Sequence, residues 1–348
     1  MGVNLSDIVP IERMELDGLS GQTLAIDAYN AIYQFLSIIR GPDGTPLKDD
    51  RGRVTSHLTG LLYRNINLLE ASIRPAYVFD GHPHVMKAQT LAERSERRAK
   101  AHDEWREAVS DGDIERARSK ATQSSRINNE IVESSRILLT YLGIPVVQAP
   151  EEGEAQAAYM ASRGAVWAAS SQDYDSLLFG APRLVRNLNI TGRRKMPGSK
   201  EYRDVFIEVA ELPKVLEANG LSGREQLIDL CILMGTDYNP GIRGIGPKKG
   251  LKLIKEKGTL ESALAAINES IPDHELIREI FIRAEHMDDY KLEWAAPQRD
   301  KIIDFMCRDH GFSEDRVNAA LDRLERKRPQ KKAEVMPKSQ SSLDRWGM

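Results

Sequence analysis

Acidic residues follow three separate apolar runs of the sequence. They are Asp27 after the run TLAI, Asp80 after AYVF, and Asp173 and Asp175 after AVWAASS. A lone aspartate at such a place is most often a helix N-cap, whose side chain accepts free backbone N–H groups. Three strands that each deliver an acid to one edge of a parallel sheet, where ligands bind in this class of fold, make capping alone a poor account.

Three further acids join this set. Glu152 and Glu154 lie at the predicted start of a helix, where the helix dipole alone would favour acids, and Asp237 follows an apolar helix. The seven carboxylates have almost no His or Cys partners, so they suit Mg²⁺, with Mn²⁺ as the alternative, better than Zn²⁺. Two such ions about 3.5–4 Å apart would relieve the repulsion and hold both reacting oxygens of a phosphoester.

Residues 81–127 form a polar block that interrupts the apolar pattern. From Lys87 to Arg126 it carries ten Lys or Arg and eight Asp or Glu, which is typical of a solvated helical hairpin turning near Asp111-Gly-Asp113. Lys87 and Arg94 are two helical turns apart and face the same way. On a helix that leaves Asp80, they would overhang the acidic edge and polarise a scissile phosphate.

A glycine-rich loop, Asn239-Pro-Gly-Ile-Arg-Gly-Ile-Gly-Pro-Lys-Lys-Gly250, joins two predicted helices. Gly244 and Gly246 would let the backbone approach a phosphate, and the N–H groups of the next helix would attract it. Lys248 and Lys249 add positive charge. The pattern favours sequence-independent binding of a DNA backbone, and a plain turn is the alternative. It is not a Walker A loop, because the GxxxxGK[ST] spacing is absent.

The elements that position these residues alternate between strands and helices. Strands are predicted at 23–26, 76–79, 144–147 and 165–170, with helices at 28–39, 56–72, 128–142 and 154–163. This alternation predicts an α/β fold, a mostly parallel sheet covered by helices.

Composition excludes several classes of protein. With 41% hydrophobic residues the chain can bury a core, and 52 acids against 49 bases exclude a histone-like polycation. Cys231 and Cys307 cannot form a disulfide framework, so we expect a reducing compartment. No apolar run approaches the roughly 18 residues of a membrane span.

The ordered motifs IDAYNAIYQFL, YVFDGHP, LAERSERRA, APEEGEAQAA, SSQDYDSLLFG and DLCILMGTDYNPGIRGIGPKKG resemble those of the flap endonucleases, which are XPG-type structure-specific 5′ nucleases. The resemblance covers residues 1 to about 325, and the short tail looks archaeal. It implies a PIN/5′-nuclease-like fold and a metal-dependent nuclease that removes 5′ flaps near a junction, with 5′–3′ exonuclease activity. It places that activity in Okazaki-fragment maturation and repair.

The resemblance also assigns roles to residues. It implies that the seven acids hold two metal ions, some through water, and that Lys87 and Arg94 are catalytic cations on a helical arch. Tyr33 matches a residue on which a base stacks, and Arg40, Arg64 and Arg186 resemble contacts to the DNA backbone. The glycine-rich loop matches a helix–turn–helix clamp on duplex DNA that also holds K⁺ in relatives.

We therefore expect a nuclease core at 1–325, with the arch at 81–127 and the helix–turn–helix element at 224–258, and a flexible tail at 326–348. In the tail, Gln340, Leu343 and Trp346 resemble the binding box for a sliding clamp, although Gly347 stands where a second aromatic is usual. The expected partners are branched DNA with a 5′ flap and the clamp, and no membrane. We expect a cytoplasmic, nucleoid-associated monomer, or a nuclear one in a eukaryote.

Other functions stay open. A junction resolvase would be expected to lack so long an insertion, and a 5′ exonuclease is a further sibling. A haloacid-dehalogenase-type phosphatase needs a D-x-D pair after the first strand, where this chain has Asp27-Ala-Tyr29. A non-catalytic, clamp-tethered DNA-binding scaffold would predict erosion of the acids, yet all seven positions hold Asp or Glu.

The tail generates one prediction. Replacing Trp346 by Ala should weaken binding of a sliding clamp by about 2 kcal/mol or more, because an aromatic anchor is the usual hot spot of such an interface. Calorimetry against the clamp of the same organism measures this. Deletion of residues 336–348 is the control, and should leave clamp-free cleavage nearly unchanged. Equal binding by the wild type and Trp346→Ala would refute the assignment.

Overall fold

The structure is a computed structural model that describes residues 3–41, 44–189, 192–195 and 202–327. The predicted clamp box, Gln340, Leu343 and Trp346, lies outside the described residues and stays a prediction. No helix in the described ranges combines the length and the apolar character that crossing a membrane requires.

A seven-stranded sheet organises the described chain. Its strands, with a separate two-stranded hairpin, are β1 (Glu12–Met14), β2 (Thr23–Asp27), β3 (Arg74–Phe79), β4 (Val146–Gln148), β5 (Ala168–Ser170), β6 (Arg183–Arg186), β7 (Gly192–Lys195), β8 (Tyr202–Val205) and β9 (Ile207–Glu211). The order in the sheet is β1-β9-β6-β5-β2-β3-β4, and β7 pairs with β8. Strands β6, β5, β2, β3 and β4 run parallel, whereas β9 and β1 are antiparallel. The predicted α/β fold with a mostly parallel sheet is confirmed.

Helices cover both faces of the sheet. They are α1 (Ala28–Ile38), α2 (Ser56–Glu70), α3 (Ala88–Ser110), α4 (Ile114–Gln123), α5 (Asn129–Tyr141), α6 (Gly153–Ser162), α7 (Asp175–Leu178), α8 (Leu212–Asn219), α9 (Arg224–Met234), α10 (Pro247–Lys257), α11 (Leu260–Ile267), α12 (His274–Ile282), α13 (Arg299–Ile303) and α14 (Glu314–Lys327), with a π-helical turn at Asp304–Asp309.

The central strands are buried on both faces, which is why they are apolar without alternation. In β2, Leu24 and Ile26 join the core beneath α1, α2 and α5, whereas Ala25 joins a smaller core beneath α6. A third core lies among α8 to α12. Helices connect β2 to β3, β3 to β4 and β4 to β5, and these crossovers return each strand in the same direction, so their carboxyl ends meet at one edge.

The strand predictions were wrong at several boundaries: β2 extends one residue beyond 26, and β3 begins two residues before 76. The last strand begins at Ala168 and not at 165, because the amides of Ala165 and Val166 donate to the Met160 carbonyl that ends α6. Likewise β4 spans 146–148, because the Ile144 amide donates to the Leu139 carbonyl at the end of α5.

The polar block is a helical hairpin, as predicted. Its helices α3 and α4 are joined by residues 111–113, and buried alanines such as Ala108 and Ala121 let them pack closely. Arg116 pairs with Glu107 across the hairpin at 2.6 Å. The block's charges therefore lie on its outside and at its base.

Candidate active site

All seven predicted acids line one cleft of about 1100 Å³ at the carboxyl edge of the parallel strands. The cleft also includes Lys87 and Arg94 from the base of the arch, and Tyr33 from α1. Asp27, Asp80 and Asp175 meet because β2, β3 and β5 end side by side, and the end of α9 brings Asp237 to the same cleft.

Helix N-termini hold two of the acids in place. Asp27 ends β2 and caps α1, accepting the Asn30 amide at 3.0 Å, so the capping interpretation is also correct for this residue. Asp80 accepts the amide of Gly153, the first residue of α6, at 2.7 Å. A Cβ at Gly153 would lie 2.7 Å from the Asp80 carboxylate, so only glycine permits this approach. The helix dipoles favour both negative charges.

Two further acids, Asp175 and Glu154, are also anchored. Asp175 begins α7, is buried, and accepts the Val3 amide at 2.8 Å. Glu154, in the first turn of α6, accepts a hydrogen bond from the Ser176 hydroxyl at 3.4 Å. The Val3 amide and the Ser176 hydroxyl thereby each hold one acid of the cleft.

The base of the arch docks on the acids from the other side. Lys87 lies 2.5 Å from Glu152 and 3.7 Å from Asp237, and Arg94 contacts Asp237 at 2.5 Å. Between them, the Thr90 hydroxyl donates to the Asp237 backbone carbonyl at 2.8 Å. Lys87, in the turn that precedes α3, and Thr90 and Arg94 on α3 therefore all contact the acidic edge.

Burial and mutual repulsion disfavour charge on several of the acids. Burial, with repulsion from Glu152, raises the pKa of Asp80 to about 6, and burial with repulsion from Asp173 raises the pKa of Asp175 to about 7. The pKa values of Asp27 and Glu154 are also well above the ordinary range, with burial as the largest cause. Burial opposes the charge of Lys87, but Glu152 and Asp237 raise its pKa overall. The cluster therefore needs positive charge.

The donor set fits divalent cations that keep much of their water. Among the described residues, no group of three or more His, Cys, Asp or Glu side chains forms a ready-made cage for a metal ion. Mg²⁺ does not require such a cage, because it usually retains several waters and binds through one or two carboxylates plus substrate phosphates. Buried carboxylates with raised pKa values around one cleft meet that requirement.

The other predicted nucleic-acid residues lie in different environments. Tyr33 faces the cleft, and the Arg98 guanidinium lies over the Tyr33 ring, 5.6 Å from the ring centre. Arg40 donates to the Gly44 carbonyl and the Ser125 hydroxyl. Arg186 pairs with Glu208 at 2.9 Å.

Arg64 differs from these because it is buried within α2. Burial lowers its pKa to about 10. Its side chain could reach DNA only by leaving the core.

The predicted helix–turn–helix element consists of α9, residues 235–246 and α10. Gly244 takes a left-handed conformation with φ of +81°, and Gly246 precedes Pro247 at the start of α10. A Cβ at Gly250 would approach Leu230 to 2.6 Å, so this glycine allows the two helices to pack closely. Lys248 and Lys249 are exposed at the N-terminal end of α10.

Sequence reasoning missed several residues that contact the acids of the cleft. Asn30 and Ser171 connect the acids of neighbouring strands, Thr90 contacts Asp237, and the Val3 amide contacts Asp175. Their side chains or amides are common in any sequence, and only the pairing of β2 with β5 brings the first two together.

Family models match two regions of the chain. The XPG N-terminal domain matches residues 2–101, and the XPG I-region matches residues 143–237. Flap endonuclease 1 of Thermococcus onnurineus is 50% identical over 347 residues, which cover 99% of each chain. Flap endonuclease 1 of Pyrococcus abyssi is 51% identical over 348 residues, which cover 99% of this chain and 98% of the relative.

Solved structures agree with these matches. Flap endonuclease-1 from Methanococcus jannaschii has 40% sequence identity and a TM-score of 0.74, covering 94% of this chain and 98% of that chain. The catalytic core of Rad2 in complex with DNA substrate has 25% identity and a TM-score of 0.68, covering 92% of this chain and 97% of that chain. The fold and the matched regions define an XPG-type nuclease. Within that class, the chain belongs to the flap endonuclease family.

The raised pKa values generate a prediction about stability without metal. Replacing Asp175 by Asn should stabilise the chelator-treated protein more at about pH 7.5 than at about pH 4.5. Between about pH 4 and pH 7 the folded Asp175 carboxyl, with a pKa of about 7, keeps a proton that the unfolded carboxyl, with a pKa of about 3.9, has released. The contribution of the Asp175 carboxyl to the free energy of unfolding of the wild type therefore falls as the pH rises through this range.

Urea unfolding in EDTA at both pH values, compared between variant and wild type, measures the effect. We expect a difference of up to a few kcal/mol, since one pKa unit corresponds to about 1.4 kcal/mol. The comparison must be made with the wild type because other groups also change stability with pH. Burial lowers the pKa of His57 to about 3, so the stability of the folded protein falls as the pH drops below about 6.5. An equal effect of the substitution at both pH values would contradict the prediction.

Proposed function

We propose that the protein is a structure-specific 5′ flap endonuclease that hydrolyses a phosphodiester near the junction of single strand and duplex, using two divalent cations. The observation that carries this proposal is the cleft in which seven strand-end and helix-start acids face two cations of the arch. Acids alone would repel DNA, and cations alone would only bind it. Their combination suits hydrolysis of a phosphodiester.

Mg²⁺, or Mn²⁺ as the alternative, would be held by Asp27, Asp80, Glu152, Glu154, Asp173, Asp175 and Asp237. When bound, such ions supply an activated water and neutralise the charge that develops on the phosphate. Lys87 and Arg94 would stabilise the same developing charge from the side of the arch, and their contacts with the acids of the cleft support this role. They contact Glu152 and Asp237, so a phosphate entering the cleft would compete with those acids for them.

The rest of the substrate would lie on two further surfaces. Tyr33 offers an aromatic face to a base beside the scissile bond. The helix–turn–helix element would hold the duplex backbone through Gly244, Gly246, Lys248 and Lys249, with a bound K⁺ as a further contribution. Arg40 and Arg186 lie close enough to the surface to add backbone contacts, whereas buried Arg64 is not included.

The same proposal covers the organisation of the chain. Residues 1–325 form the nuclease core, and the tail binds a sliding clamp through Gln340, Leu343 and Trp346. The protein acts as a monomer in the compartment that holds the DNA, in Okazaki-fragment maturation and repair.

Cleavage of end-labelled 5′-flap, nicked and four-way-junction DNA, with and without Mg²⁺, tests the function. We expect Mg²⁺-dependent cleavage of the flap above both other substrates. Asp80→Ala and Asp173→Ala are matched controls that should abolish cleavage and leave flap binding measurable. Preferred cleavage of the four-way junction would make the protein a resolvase instead.

The arch cations generate a second prediction. Lys87→Ala and Arg94→Ala should each lower the single-turnover rate about 10²–10³-fold, because each removes a preorganised group at the scissile phosphate, while affinity for duplex changes much less. Arg97→Ala is the matched control, since Arg97 lines the cleft on the same helix and pairs with Glu93. Equal losses of rate and affinity would make Lys87 and Arg94 ordinary backbone contacts.

The helix–turn–helix element generates a third prediction. Replacing Lys248 and Lys249 together by Ala should weaken duplex binding regardless of sequence and reduce the slope of log K against log salt by about 2, since each phosphate contact contributes about 0.9. Replacing Lys255 and Lys257 at the other end of α10 is the control of equal charge. A slope that the first pair leaves unchanged would mean that the loop is only a turn.

A further inference from the structure

Asn30, in the first turn of α1, links two acids that belong to neighbouring strands. Its backbone amide donates to Asp27 at the end of β2, and its side-chain nitrogen lies 3.5 Å from Asp173, beyond the end of β5. Its side-chain oxygen accepts the backbone amide of Gln172 at 3.3 Å. One side chain therefore connects the β2–α1 junction with the β5–α7 loop.

The chemistry of these partners fixes the orientation of the Asn30 amide. The Gln172 backbone N–H can only donate, so the atom facing it must be the Asn30 oxygen. The Gln34 side chain donates to that same oxygen. The Asn30 NH₂ group is then directed to a carboxylate oxygen of Asp173, which accepts from it.

Ser171 makes a second link between the same two acids. Its hydroxyl donates to the Asp27 carboxylate at 3.5 Å and accepts the backbone amide of Asp173 at 3.3 Å. Asp27, Asn30, Asp173 and Ser171 thus form a closed hydrogen-bonded ring. The parallel pairing of Ile26 with Ser170 holds both sides of this ring in register.

The ring opposes a repulsion. Asp27 and Asp173 would move apart as like charges, and the sheet fixes only their backbones. The ring places a donor on each carboxylate, which limits rotation of that carboxylate. Groups that orient the ligands of a metal in this way typically change metal affinity about 10–100-fold when they are removed.

We propose that Asn30 and Ser171 are positioning residues that set the spacing and orientation of the Asp27 and Asp173 carboxylates for divalent cation binding, an inference that rests on the metal-dependent function proposed above. Neither residue touches a reacting atom. Both act through the carboxylates that they hold.

The test is Mn²⁺ binding to the full chain without DNA, followed by the electron paramagnetic resonance signal of free Mn²⁺. Asn30→Ala should weaken Mn²⁺ binding about tenfold or more. Ser37→Ala is the matched control, because Ser37 lines the same cleft two turns along α1 and its buried hydroxyl has no hydrogen-bond partner among the described residues. Ser37→Ala should bind Mn²⁺ as the wild type does.

Ser171→Ala keeps the test decisive if Asn30→Ala does not fold, which circular dichroism in EDTA would reveal. It should weaken Mn²⁺ binding in the same direction. When all three proteins fold, the double variant should lose less than the product of the single losses, because both substitutions open one ring.

The outcomes separate the two proposals. Wild-type affinity in both Asn30→Ala and Ser171→Ala would overturn this inference and leave the proposed nuclease function standing. Independent, fully multiplicative losses would also overturn the ring. A wild-type protein that binds no Mn²⁺ would overturn the metal site itself, and the ring's proposed role with it.

Discussion

The repulsion among seven carboxylates at one edge of a buried sheet is the constraint on which the rest of the structure depends. Burial raises the free energy of their charged forms, and the short distances between them raise it further. The raised pKa values of Asp80 and Asp175 express this cost. A chain keeps such an arrangement only when something positive compensates it, and each feature around the cleft supplies part of that compensation.

The compensation comes from three levels of structure. Helix N-termini contribute first, since α1 and α6 direct amides at Asp27 and Asp80. The arch contributes full charges, because Lys87 and Arg94 contact Glu152 and Asp237. The hydrogen-bonded ring of Asn30 and Ser171 then holds Asp27 and Asp173 in place. A divalent cation completes this series in our account, and the same positive groups would attract a phosphate.

The sequence was informative where a pattern has one physical cause. An aspartate after a doubly buried strand lies at the carboxyl edge of a parallel sheet, so the positions of Asp27, Asp80, Asp173 and Asp175 were predictable. Glu152, Glu154 and Asp237 were expected there from their places at the ends of helices. The two cations were predictable because residues seven positions apart, about two helical turns, lie on the same face of a helix. The Asn30–Ser171 ring was not, since it depends on the register of β2 with β5. The antiparallel edge was also missed, because β1 is three residues long and its pattern ERM carries no apolar run. The burial of Arg64 depends on packing that its neighbours do not encode locally.

The central claim is that this acidic edge is a divalent-metal centre. Anomalous diffraction from crystals of the full chain grown with Mn²⁺ tests it most directly. We predict anomalous peaks inside the cleft, within ligand or water-bridged distance of Asp27, Asp80 and Asp173. Peaks only elsewhere on the molecule, with the cleft free of Mn²⁺ and Lys87 and Arg94 still bound to Glu152 and Asp237, would contradict it.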